Sequence, residues 1–134
     1  MASQTDSVLF GKAYAFAIRV VHAHHYLIND QKEFILSKQF IRCGTSIGAN
    51  IAEANGGISI ADFSAKISIA YKECLEVKYW LSLLKDTGYL EERVFQSMHQ
   101  DADELAKMTY AILKKTRISK LHLAMLWLKP LFAS

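Results

Sequence analysis

Four times along this chain apolar residues recur at alternating steps of three and four, and that spacing leaves few folds open. Leu9, Ala13, Phe16, Val20, Ala23 and Leu27 make the first seam, and a parallel row of Phe10, Tyr14, Ala17, Val21 and Ile28 widens it. A period near 3.6 places such residues on one face of a helix, and a wide apolar face is what a bundle helix turns to its core. Leu36, Phe40, Cys43, Ile47, Asn50 and Ala54 carry the second seam, within a segment reaching from Gln31 to Ala54. Phe63, Ile67, Ala70, Cys74, Val77, Leu81 and Leu84 carry the third. It opens at Ser59, and Asp62 three positions on resembles a capping box with a shorter acid. Val94, Met98, Leu105, Met108 and Ile112 mark the fourth, from Glu91 to Arg117.

Turn residues separate the segments: Asn29-Asp30, Asn55-Gly56-Gly57 and Thr87-Gly88. Gly56 and Gly57 are available for a left-handed helix cap. One proline, Pro130, and six glycines are too few for a sheet protein with its frequent turns. Three short connections force each helix antiparallel to the one before. The expected fold is all-α, an up-down-up-down antiparallel four-helix bundle with a short C-terminal helical or irregular extension. Residues 1–117 form the bundle, and 118–134 an apolar, basic tail that is not a separate domain. A chain of 134 residues suffices for one core without disulfides. Cys43 and Cys74 both fall on apolar seams, as buried thiols in a reducing cytoplasm would.

The stretch Arg42–Gly57 sets Gly44, Gly48, Asn50 and Glu53 among apolar neighbours. Small residues four apart let another backbone approach, which offsets their weak helix propensity of about 1 kcal/mol per glycine. Asn50 shares the seam with Ile47, so Asn50 and Glu53 are read as a structural polar network within the bundle. Arg19, Arg42, Lys66 and Lys72 are the available partners for Glu53. Arg42, Ser46, Ala49 and Glu53 make one stripe, and with the aromatic shoulder at Trp80 they are the expected oligomer contacts.

"IRCGTSIGANIAEANGG" followed by "DFSAKISIAYKECLEVKYWLSLLKDTGYL" resembles the signature of the four-helix bundle proteins of the 23S rRNA intervening-sequence family. Arg42, Ser46, Ile47, Asn50, Ile51, Ala52 and Glu53 match its first segment. Asp62, Phe63, Ile69, Ala70, Glu73, Glu76, Leu81, Gly88 and Tyr89 match its second. Ala54 stands where the family usually has glycine, and the tail from Ile118 lies outside the resemblance. The resemblance implies a bundle that commonly forms a ring-shaped homopentamer and has no assigned enzymatic activity. Some members are encoded within intervening sequences of ribosomal RNA genes. Related bundles assist retroelements, where they bind a reverse transcriptase and RNA.

Chemistry that would make an enzyme is thin. A di-iron bundle needs ExxH motifs, and the chain has none. His22 and His25 have metal-pair spacing but no third ligand of matching spacing; P-loop and GxGxxG motifs are missing. Catalytic residues, cofactor and metal are therefore expected to be none. Positive charge gathers at the end: Lys107, Lys114, Lys115, Arg117, Lys120 and Lys129 follow Glu104, with no acid among them. Lys107, Lys114, Lys115, Arg117 and Lys120 are the candidate nucleic-acid contacts. The alternative for those charges is complementing a helix C-terminus. Leu121–Leu128 is apolar but for His122, too short to span a bilayer, which takes about 20 residues. It suits burial on the chain's own bundle or on a partner, or a membrane surface. The expectation is a cytoplasmic, non-enzymatic homo-oligomer, a pentamer by the resemblance, that binds RNA or a nucleic-acid-binding protein. Its rivals are a protein-interaction scaffold without nucleic acid and a metal-dependent bundle enzyme.

Overall fold

The computed structural model describes the backbone of residues 4–132, and the side-chain surroundings of residues 8–117, 121, 124–126 and 128. Its helices are α1 (Gln4–Asn29), α2 (Leu36–Asn55), α3 (Ile60–Asp86) and α4 (Glu92–Phe132), and the described backbone contains no strand. Consecutive helices pack along their lengths, while α1 and α4, which close the ring, touch least. The bundle expected from the four seams is the fold observed.

The core follows those seams. Leu9, Ala13, Phe16, Val20 and Leu27 of α1 meet Phe40, Cys43, Ile47 and Ile51 of α2 and Ile67 to Leu84 of α3. In α4 the inner row is Met98, Ala102, Leu105 and Thr109, with Met108 and Ile112 only half-buried. This register differs from the expected one, because small Ala102 and a threonine that bonds its own helix can line a tight seam. Thr109 Oγ1 donates to the carbonyls of Leu105 and Ala106, so its hydroxyl is satisfied in the core. The widening row of α1 divides: Phe10 and Tyr14 are exposed, as is Ile18 beside them, while Ala17, Val21 and Ile28 are half-buried.

Gly44 has a spatial reason. A Cβ there would stand 2.7 Å from both methyls of Val20, so the α2 backbone is seated against α1. Gly48 lies an ordinary van der Waals distance from Ala13.

α2 begins five residues later than Gln31. Lys32 takes a left-handed φ of 53°, and buried Glu33 then caps the helix. Its carboxylate accepts from the N–H groups of Ile35, Leu36 and Ser37, and Ser37 Oγ donates back to the Glu33 carbonyl. Burial pushes the Glu33 carboxyl up, but these donors outweigh it and hold its pKa below the ordinary value. At the other end Gly56 has φ −92°, so the left-handed cap does not form. Gly57 is required for space, since a Cβ would lie 3.0 Å from the Ala54 carbonyl oxygen and 3.3 Å from the Phe63 nitrogen. Ser59 caps α3 as its position predicts, accepting from Asp62 N–H at 3.0 Å. The one glycine in the left-handed region is Gly88, φ +86°, between α3 and α4.

α4 runs 41 residues, so the extension expected beyond Arg117 is helical and continuous with the fourth bundle helix. At about 1.5 Å per residue it is roughly 60 Å long and outruns its neighbours. Lys114, Lys115 and Arg117 therefore lie along the helix, not at its negative end. Described side chains of the tail, Leu121, Ala124, Met125, Leu126 and Leu128, are exposed and are not folded back on the bundle.

Candidate functional site

Two charged clusters lock α2 to α3 along their outer edge. Arg42 reaches Glu73 (Nη1–Oε1 3.5 Å) and Glu76. Further along α2, Glu53 pairs with Lys66 at 2.6 Å. Glu53 is largely exposed, and half-buried Asn50 spends its amide on the Ser46 carbonyl at 2.8 Å. The two residues expected to share a network are thus held separately. Short polar side chains that bond back into their own helix need no partner across the core.

Beside Arg42, the Cys43 sulfur and carboxylate oxygens of Glu73 and Glu76 lie within 4.8 Å of one another. They form the one such three-group set among the described residues. Sequence spacing misses it, although Arg42-Cys43 and Glu73-Cys74 place a charge beside each buried cysteine. Burial pushes the Cys43 thiol up to about 12, and the two glutamates add to the shift. Glu73 is likewise raised, by burial and by Glu76, against the opposing pull of Arg42. One Glu73 oxygen, Oε2, is shielded and accepts no hydrogen bond. The thiol is held protonated, and the single guanidinium of Arg42, shared by two carboxylates, ties α2 to α3. Cys74, also pushed up to about 12 by burial, is equally inert.

The expected oligomer contacts divide. Arg42 and Glu53 are engaged with α3, while Ala49 is exposed and Ser46 donates to the Arg42 carbonyl at 2.6 Å. Ile69 of α3 is exposed. Trp80 is half-buried, edge-on to Tyr79 with ring centroids 5.0 Å apart, and its indole N–H is shielded without an acceptor.

Between α1 and α4 lies a cavity of about 350 Å³, lined by Arg19, His22, Ala23, Tyr26, Val94 and Met98 among others. Arg19, its cation, already binds Asp101 and Ser97. His22 and His25 are exposed, and half-buried His24 faces the Ser37 carbonyl at 3.2 Å. The lining pairs no nucleophile with a base.

On α4, Lys107 shares Asp103 with Lys78, at 3.0 and 2.8 Å. Lys114, Lys115 and Arg117 are exposed and have no ion-pair partner among the described residues. Lys120 lies outside the described side chains.

The family described as 23S rRNA-intervening sequence protein matches residues 5–111. A solved structure from Bacteroides thetaiotaomicron, described as a protein with unknown function from the S23 ribosomal protein family, is 45% identical. It superposes with a TM-score of 0.81 over 83% of this chain and 99% of that one. Among curated proteins none matches.

Proposed function

The chain belongs to the 23S rRNA-intervening sequence protein family, and on that premise we propose that it is a non-enzymatic assembly module of the cytoplasm. It forms a homo-oligomer, a pentameric ring on the family resemblance, and offers the cations of α4 to RNA. One observation carries the assembly reading: the bundle leaves large apolar side chains outside. Phe10, Tyr14 and Ile18 of α1 and Ile69, Leu75 and Tyr79 of α3 are all exposed. Phe10, Tyr14 and Ile18 follow one another at steps of four and so share one stripe, and contiguous apolar surface on a folded domain marks a contact surface. The small side chains of Ser46 and exposed Ala49 leave room there for a neighbouring backbone to approach.

RNA binding rests on Lys114, Lys115 and Arg117, which the ring repeats so that weak phosphate contacts act together. Lys107 contributes less, since Asp103 already holds it. A filter-binding titration with mixed RNA at about 50 mM and about 200 mM salt tests this, because counterion release makes the affinity salt-dependent. Binding should be measurable at the lower salt, fall steeply at the higher, and vanish in Lys114→Glu/Lys115→Glu. No binding at low salt would leave a protein-interaction scaffold in its place.

A further inference from the structure

The last quarter of α4 leaves the bundle, and what it carries is unsuited to water. Residues 121–128 read LHLAMLWL, with His122 the one polar side chain. Leu121, Ala124, Met125, Leu126 and Leu128 are all exposed, Met125 by 70%. At about 100° per residue these five span roughly 200° of the helix circumference. A helix lying in a protein groove buries one stripe and keeps the opposite face polar. Four of the five, Leu121, Ala124, Met125 and Leu128, share about 100° of that circumference, and every charge near that stripe is positive, which favours an anionic lipid surface over a protein groove.

The charge beside this segment has one sign. Lys114, Lys115 and Arg117 are exposed on the shaft behind it, Lys120 and Lys129 flank it in sequence, and no acidic residue follows Glu104. The family match ends at residue 111, before this apolar end.

We propose that the end of α4 is a membrane-docking tip that sinks into the surface of an anionic lipid bilayer. The leucines and Met125 enter the boundary between headgroups and acyl chains, and the cations behind them meet lipid phosphates. Most of this helix satisfies its own backbone, but Pro130 has no N–H to give the Leu126 carbonyl, which suits the hydrated headgroup boundary and not the hydrocarbon. The apolar run is far below the roughly 20 residues a span needs, and no described helix is long and apolar enough to cross. The tip lies in the interface, at a depth of about 5–10 Å. Each cation near an anionic surface adds to the attraction, which makes binding dependent on both salt and lipid charge.

The proposal goes beyond the assembly and RNA readings, and its apolar half separates it from them: phosphate contacts to RNA need the lysines and not the leucines. The test is co-flotation of the full chain with vesicles of phosphatidylcholine alone and of phosphatidylcholine mixed with phosphatidylglycerol. Strong co-flotation with the mixed vesicles and little with the neutral ones is expected. Leu121→Asp/Met125→Asp/Leu128→Asp should reduce the bound fraction by about tenfold or more, while RNA titration and helical content stay as in the parent. Lys114→Glu/Lys115→Glu should remove the preference for anionic lipid. Failure of the parent to float with the mixed vesicles, or equal flotation of the aspartate variant, would overturn the proposal. So would loss of oligomer mass in the aspartate variant without vesicle binding by the parent, which would assign the tip to a second copy of the chain.

Discussion

At the scale of single residues, two glycines test opposite physical effects. Gly44 faces Val20, a β-branched side chain with one strongly preferred rotamer in a helix, so the methyls cannot swing clear of an added Cβ. Gly44→Ala should lower stability by about 1 kcal/mol or more, despite better helix propensity, because overpacking exceeds that gain. A Cβ on Gly11 would meet nothing within 4 Å, and Gly11→Ala should raise stability by up to about 1 kcal/mol. Urea midpoints of the two variants decide it; equal shifts would refute close approach at Gly44. Glu33 is the other critical residue, because three backbone donors converge on one buried carboxylate. Glu33→Ala should cost about 1–2 kcal/mol, as loss of a helix cap does. Asp103 supplies the acid dependence. Lys78 and Lys107 hold its pKa at about 2 against an ordinary 3.8. A depressed folded-state pKa means that its stabilisation is complete above the ordinary value and fades as pH falls from 3.8 through about 2. Asp103→Asn should therefore lose stability near neutral pH and show a shallower acid decline across that window.

At the scale of the element, periodicity reveals which face of a helix is buried and little else. The seams of α1 and α3 are legible because apolar residues recur along each at unbroken steps of three and four. The register of α4 is not, because Ala102 and Thr109 are near neutral in hydropathy yet fill positions where the helices come close. The start of α2 is hidden since glutamate is not the usual capping residue, and Glu33 caps by bending the chain through Lys32. The Arg42–Glu73–Glu76 lock joins two helices, and spacing within one helix carries no information about partners on another. The run of α4 past Arg117 meets no stop signal in sequence, and its apolar residues suit burial where the helix leaves them exposed. This gives a prediction for the element itself. The described buried residues of α4 end at Thr109, so a chain ending at Arg117 should melt within a few degrees of the full chain. A large drop in Tm would mean that the tail packs on the bundle in solution.

At the scale of the whole molecule, stability and assembly are linked by mass action. An oligomer that forms only from folded chains raises the folded state's share as protein concentration rises. The association we propose would draw on the exposed Phe10, Tyr14 and Ile18 stripe and on the Ser46/Ala49 face, while Lys12–Glu104 and Arg19–Asp101 bridge the thin seam between α1 and α4. Those bridges are exposed, so they add little to intrachain stability. Tm should accordingly increase with protein concentration in the micromolar range, a dependence that a lone monomer does not show. Ala49→Leu inserts bulk into the proposed contact and should abolish both the concentration dependence and the higher mass by light scattering. Being exposed, Ala49 can be enlarged without strain inside the bundle, so the dilute-limit Tm should stay close to the parent's. A parent Tm that is flat across a hundredfold dilution would dispose of the assembly. A concentration-dependent Tm that survives Ala49→Leu would move the contact to another face, with Phe10, Tyr14 and Ile18 of α1 the next to substitute.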